Sequence, residues 1–287
     1  MAALSNIIFS LLLIFLGYFF VEYALLISKK SRTSILFDNQ FNKPQAFHEK
    51  SNLRLGGLTI FSLLILVFIY LNFFKNIFLF EYVSFSFLFF TLGLIDDLKI
   101  KIAPKFRLLI MILFLIILTM SNDLYIKKTG LEFLNYLLNI DIFALFFICL
   151  CFLFIINGSN LIDGFNGLLG IHALIIFVIL FLINFFNENY SYAYILFYIS
   201  LIILIFLKFN FPYAKIFFGD SGAYLVGILI SVSIIKTSIL NPTIHPFFFC
   251  ILLFYLFIEV FFSFFRKLFV ARQSPLLPDK KHLHMLF

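Results

Sequence analysis

Long apolar runs at 7–27, 55–72, 77–95, 106–121, 141–156, 167–186, 192–209, 223–240 and 247–265 alternate with short polar segments along the chain. Each run approaches the length of about 20 residues that an α-helix needs to cross a bilayer. The pattern therefore predicts an all-α, polytopic membrane bundle of about nine transmembrane helices. No Lys or Arg precedes the first run, whereas Lys29, Lys30 and Arg32 follow it. A cleavable secretory signal has the opposite polarity, so a retained helix with its N-terminus outside is expected. Counting crossings from there puts the C-terminus in the cytoplasm. Of the 21 Lys and Arg residues, only Lys75, Lys127, Lys128 and Lys236 then fall outside, the bias expected of inward-facing loops. With no repeat and no low-complexity linker, a single integral membrane domain over 1–287 is expected.

Composition agrees: 63% of the residues are hydrophobic, 12% are charged, and 47 are phenylalanine, more apolar surface than a soluble core of this length can bury. The phenylalanines are expected to face lipid or neighbouring helices. The net charge of +7 would suggest nucleic acid in a soluble domain; here it orients the chain, and no nucleic-acid partner is expected. Cys149, Cys151 and Cys250 all lie in apolar runs, which argues against a disulfide framework or a zinc site.

Chemistry is confined to the corners on the inner side. The first holds Asp38, Lys43, Pro44, His48, Lys50 and Arg54 ahead of Gly56-Gly57; taken alone it reads as a basic membrane-surface loop. The second holds Asp96-Asp97 followed by Lys99 and Lys101. Two adjacent carboxylates at a helix end repel each other and lose hydration near lipid, so a proton or a metal ion is needed to hold them there. The third is Asn157-Gly158-Ser159-Asn160-Leu161-Ile162-Asp163-Gly164-Phe165-Asn166-Gly167, amides and a carboxylate on a backbone that can turn and approach a ligand. The fourth, Phe217-Phe218-Gly219-Asp220-Ser221-Gly222, leaves main-chain N–H groups at a helix start, suited to a phosphate or to fixing a carboxylate. The tail carries Pro278-Asp279 and His282-Leu283-His284.

Asp96, Asp97, Asp163 and Asp220 thus fall on one leaflet, with Asn157, Asn160 and Asn166 as neutral ligands and Lys99, Lys280, His282 and His284 as cations for phosphate. Oxygen ligands with few histidines favour Mg²⁺ or Mn²⁺ over zinc, and Mg²⁺ leaves coordination sites for substrate phosphates. A metal–diphosphate site at the headgroup level is the reading of these residues.

The ordered set, from Asp96-Asp97 with Lys99, through Asn157, Asn160, Asp163-Gly164 and Asn166-Gly167-Leu168, to Phe217, Gly219-Asp220 and Gly222, then Pro278-Asp279 with His282 and His284, resembles the polyprenyl-phosphate N-acetylhexosamine-1-phosphate transferase family. The resemblance spans about Asp38 to the tail. It implies transfer of an N-acetylhexosamine 1-phosphate from a UDP-sugar to undecaprenyl phosphate with release of UMP, using Mg²⁺ or Mn²⁺. That reaction is the first membrane step of a bacterial cell-surface glycan, on the cytoplasmic face of the inner membrane. By resemblance Asp220 is the metal aspartate, and Asp96 and Asp97 are the acidic pair that deprotonates or positions the lipid phosphate held by Lys99. Asn157, Asn160, Asn166 and Asp163 belong to the nucleotide-sugar loop, with Asp163 counted among the catalytic acids. Phe217 lies beside uracil, and His282, His284 and Lys50 contact substrate. A homodimer is a possible assembly.

The chain departs from the family pattern at Asn166, where some branches carry a second aspartate, at Leu53, where a proline usually precedes the double glycine, and at the shortened histidine motif. The resemblance also implies at least one further helix beyond Phe287. The alternatives are a divalent-cation transporter or channel and an inactive truncated scaffold. A conduction path needs polar groups strung through the spans, whereas the motif acids sit at one end. Glu22, Glu81, Glu259 and His172 lie within apolar runs and are expected to make helix–helix hydrogen bonds. The outer loop with Leu131–Leu138 is expected to form a short interfacial helix.

Overall fold

In a computed structural model that describes residues 2–30, 52–100, 102–126, 128–270 and 272, the secondary structure is all helical. The helices are α1 (Ala2–Lys30), α2 (Gly56–Lys75), α3 (Phe80–Asp97), α4 (Pro104–Ser121), α5 (Glu132–Leu138), α6 (Asp141–Ile162), α7 (Leu168–Phe186), α8 (Tyr190–Asn210), α9 (Gly219–Leu240), α10 (Pro246–Leu252) and α11 (Phe254–Phe265), which continues into a π-helical turn at Arg266–Val270. Local signals set several ends. Pro104 opens α4, where its missing N–H costs nothing. Asn76 closes α2 in the left-handed region at φ 53°.

Among the described residues, seven helices are long and apolar enough to cross a membrane, or eight if α10 and α11, bent by 67°, form one broken span. The sequence pattern predicts about nine. The run that falls short is α3, whose 18 residues include Glu81, Asp96 and Asp97. The expected interfacial helix is α5, with Phe133 and Tyr136 exposed.

The most buried of the spanning helices is α9, which packs against α2, α3, α6 and α7. Lipid tails are as apolar as leucine, so close approach of small residues must hold such helices together. A Cβ on Gly227 of α9 would lie 2.8 Å from the Ile156 backbone of α6, and one on Gly158 would lie 2.7 Å from the Leu256 carbonyl of α11. By contrast α1 and α4 are the least buried and present apolar faces outward.

Of the polar residues expected to bond between helices, Glu81 does so, whereas Glu259 accepts from Tyr255 of its own helix at 3.5 Å and His172 Nε2 is buried with no hydrogen-bond partner among the described residues. Glu81 of α3 meets Lys236 of α9 at 2.9 Å, and the Tyr82 and Ser233 hydroxyls are 2.7 Å apart. Nearby, Asn184 donates to Thr237 at 2.9 Å and accepts from Asn241 at 3.3 Å. The three cysteines are free.

Two corners are more helical than the hydrophobic pattern implies. α6 continues through Asn157 and Asn160 to Ile162, and α9 begins at Gly219 rather than 223. Polarity alone suggests a loop at 157–160, but Ser159 is fully buried beside Gly227 of α9 and Gly158 beside α11, so packing carries the helix on.

Candidate active site

The end of α3, the end of α6, and the starts of α2, α4 and α9 meet at one end of the bundle. The joint that brings them together is Asp97. Its side chain has no exposed surface. One carboxylate oxygen accepts the Asp220 N–H at 3.0 Å, and the other accepts the Ser221 N–H at 2.9 Å and the Ser221 hydroxyl at 2.6 Å. The first N–H groups of a helix have no partner within it and carry its positive end, so a carboxylate is well suited to them. Here that carboxylate arrives from another helix. The N–H groups that the sequence left open to phosphate or carboxylate are therefore taken by Asp97.

Gly219 makes this fit possible. It adopts φ +70°, and a Cβ there would lie 2.6 Å from an Asp97 carboxylate oxygen. Gly93, one turn back along α3, is equally tight, because a Cβ would lie 2.5 Å from the Asp220 carbonyl oxygen.

A second seam ties the start of α2 to the approach of α9. Leu53 and Ile216 form a parallel bridge, flanked by Phe217 N–H to the Leu53 carbonyl at 2.8 Å and Gly56 N–H to the Phe217 carbonyl at 2.8 Å. Gly57 N–H reaches the Phe218 carbonyl at 3.0 Å, and the Asn52 amide reaches the Ala214 carbonyl at 2.9 Å. This seam sets Arg54 beside both aspartates: its Nη1 lies 3.4 Å from Asp97 and 3.9 Å from Asp220.

Asp96 faces the other way and pairs with Arg107 of α4 at 2.6 Å. The Arg107 guanidinium stands 5.8 Å from the Tyr224 ring centroid, and the Tyr224 hydroxyl accepts a hydrogen bond from Asn160 at 3.3 Å. Asp96, Arg107, Tyr224 and Asn160 thus form a continuous polar wall from α3 to α6.

Asp163, just past α6, completes the group. Removal from water and then repulsion from Asp220 and Asp97 hold its carboxyl well above the usual carboxylate range, against the pull of Arg54. Asp97 is pushed up to about 6 by burial first and by Asp220 second, while the Ser221 hydrogen bonds and Arg54 act in the opposite sense. In both, loss of water comes first and repulsion between carboxylates second, a repulsion that Arg54 offsets only in part.

That remaining repulsion fits a divalent cation. Among the described residues no group of three or more His, Cys, Asp or Glu side chains could hold a metal ion between them, so a cation here would rest on fewer carboxylates. Mg²⁺ binds in this manner, through one or two carboxylates with water and substrate phosphates. Asp220, whose side chain is 26% exposed, is more open than Asp96 at 10% and the fully covered Asp97.

The remaining predicted residues are placed as follows. Asn157 turns back on its own helix, donating to the Leu153 carbonyl at 2.7 Å. Asn166 is exposed and donates to the Pro212 carbonyl at 3.1 Å. Phe217 is half-buried in the seam, and Lys99 is exposed just beyond α3 with φ 60°. Lys50, His282 and His284 lie outside the described residues. Sequence reasoning missed Arg107, Tyr224 and the part played by Arg54. The one available signal was Arg54 two positions ahead of a double glycine, because Cβ atoms on Gly56 and Gly57 would run into Phe218 and Ser221 at the start of α9.

Compared with known proteins, residues 79–238 match the family model of glycosyl transferase family 4. The chain belongs to glycosyl transferase family 4. No curated protein matches it significantly. The matched span covers Asp96, Asp97, Arg107, Asp163, Asp220 and Tyr224, and it leaves out Arg54. As a member of this family the protein is a multi-pass membrane transferase, a polyprenyl-phosphate sugar-1-phosphate transferase that takes a nucleotide sugar and polyprenyl phosphate.

Proposed function

We propose that this family 4 transferase moves an N-acetylhexosamine 1-phosphate from a UDP-sugar to undecaprenyl phosphate and releases UMP. The site would face the cytoplasm at the inner membrane of a bacterium and begin a cell-surface glycan. An oxygen of the lipid phosphate attacks the sugar-bearing phosphorus of the UDP-sugar, and the bond to the UMP phosphate breaks. The carrying observation is the hold of Asp97 on the first turn of α9, which puts Asp220 and Asp163 within mutual repulsion at one end of the bundle.

Phosphoryl transfer depends mainly on alignment and charge neutralisation. A Mg²⁺ ion, or Mn²⁺, held by Asp220 with Asp163 nearby would supply that neutralisation to the diphosphate. Asp97 acts through α9: it fixes where Asp220 points. Asp96, steadied by Arg107, is the carboxylate assigned to the lipid phosphate, with Lys99 beside it. Asn160 and Asn166, together with Asn157 and Phe217, form the nucleotide-sugar side, to which Lys50, His282 and His284 add cations.

The test is UMP release by the purified full chain with undecaprenyl phosphate and a panel of UDP-N-acetylhexosamines, with and without Mg²⁺. Release with one sugar, abolished by a chelator, is expected. No release with any sugar, together with Mg²⁺ uptake into vesicles containing the protein, would favour the transporter reading.

A further inference from the structure

Two helix starts in the site are held by a side chain from elsewhere in the chain. Asp97 holds α9; the start of α7 is held by Asn210, the last residue of α8. The Asn210 side-chain oxygen accepts the Gly167 N–H at 2.7 Å, and its NH₂ group donates to the Ile216 carbonyl at 2.9 Å. Asn210 is 3% exposed. A buried amide costs free energy unless its groups are bonded, and here both bonds go to main chain, so they fix backbone whatever side chains the targets carry. Asparagine also adds no charge to a site that already holds Asp97, Asp163 and Asp220, as an aspartate would.

The two targets lie at matching places. Gly167 follows Asn166 and opens α7 at φ +80°, with no side chain of its own to cap the helix. A Cβ on Gly167 would lie 2.6 Å from the Phe211 ring, so this corner rests directly on the end of α8. Asn166 reaches the same strap, donating to the Pro212 carbonyl at 3.1 Å. Ile216 precedes Phe217 and is bridged to Leu53. Asn166 and Phe217 are two parts of the nucleotide-sugar side, and Asn210 is bonded one residue away from each. Loss of either bond lets the two parts shift against each other, whereas the wall of Asp96 and Arg107 takes no part.

We propose that Asn210 is a positioning residue for the nucleotide: it sets the separation of the Asn166 corner from Phe217 and so the shape offered to a uridine diphosphate. This rests on the reading of those residues as the nucleotide-sugar side.

The test is calorimetry of UDP with Mg²⁺ on the full chain in nanodiscs, which reads affinity and the number of competent sites separately, together with hydrogen exchange at Gly167 and the KM for undecaprenyl phosphate. Asn210→Ala should open the Gly167 amide to exchange and weaken UDP by about tenfold at unchanged stoichiometry. Asn210→Asp keeps the acceptor for Gly167 and sets an oxygen against the Ile216 carbonyl; it should leave Gly167 protected and still weaken UDP, and it carries the test if the alanine variant does not fold. In both variants the KM for undecaprenyl phosphate should stay within about twofold of wild type. A merely structural role would instead lower the number of competent sites and leave the affinity of the rest unchanged. That result, equal weakening of both substrates, or wild-type UDP affinity in both variants would overturn the positioning role and leave the nucleotide reading standing. A wild type that binds no UDP would overturn the nucleotide reading, and the positioning role with it.

Discussion

Ser221 gives both its main-chain N–H, at 2.9 Å, and its hydroxyl, at 2.6 Å, to a single oxygen of Asp97. The other Asp97 oxygen accepts the neighbouring Asp220 N–H and, at 3.4 Å, an N–H of Arg54, so each oxygen of this carboxylate accepts two hydrogen bonds. An amide cannot replace it, since its NH₂ group would face an N–H donor. Asp97→Asn should lower the melting temperature in detergent, at a cost of about 1–3 kcal/mol, and abolish UMP release. A variant as stable as wild type would show that α9 is held by something else.

Asp220 should behave differently. Its side chain is part exposed and its carboxylate makes only the 3.9 Å contact with Arg54 among its ion pairs given by the described residues. Asp220→Asn is expected to abolish UMP release while shifting the melting temperature by no more than surface substitutions usually do, about 0.5 kcal/mol. Retained turnover would remove Asp220 from the chemistry.

Gly219→Ala tests the fit from the other side. A methyl group at φ +70° is strained, and here it would also stand 2.6 Å from the Asp97 carboxylate. A loss of about 1–2 kcal/mol from the backbone alone, plus displacement of Asp97, should lower both stability and UMP release. Alanine at wild-type activity would mean that the carboxylate can move aside without consequence.

Acidity offers a further check. Burial first and Asp220 second push the Asp97 carboxyl up to about 6 from an ordinary 3.8, and Asp163 is raised as well. The folded protein therefore holds protons that the unfolded chain has released, and stability must fall as pH rises from about 4 through 6. Metal-free protein should melt at lower temperature at pH 7 than at pH 5, and Mg²⁺ should narrow the difference. Melting that improves with rising pH in the absence of metal would contradict the repulsion among Asp97, Asp163 and Asp220.

At the far end of α3, Glu81 and Lys236 form a part-buried pair at 2.9 Å. Removing one partner leaves a charge poorly solvated, so Glu81→Gln should destabilise by about 1–3 kcal/mol. Exchanging the two residues, Glu81→Lys with Lys236→Glu, should recover much of the loss. If the exchange is as unstable as the single change, the pair is not what joins the helices there.

Much of the site was legible because chemistry and hydropathy separate cleanly in this chain. Asp96, Asp97, Asp163 and Asp220 stand out where apolar runs end, and counting crossings predicts that they share a side. What could not be read was which acid does what. Asp97 and Ser221 are 124 positions apart, and nothing in the adjacent pair Asp96-Asp97 says that one turns inward to a helix start and the other outward to an arginine. Arg54 and Arg107 were hidden for another reason. Basic residues beside membrane spans usually serve orientation, so two that pair with the motif acids look like the rest. The helix at 157–162 was missed because its support comes from α9 and α11, which a local pattern does not contain.

The burial of α9 reaches beyond its first turn. A rod gripped along its whole flank turns as one piece, so whatever tilts Asp220 also strains the lattice of Asn184, Thr237 and Asn241 at the opposite rim. Catalytic alignment in this transferase is thus tied to amides at the other end of α9, and loosening them should lower turnover without any contact with the site.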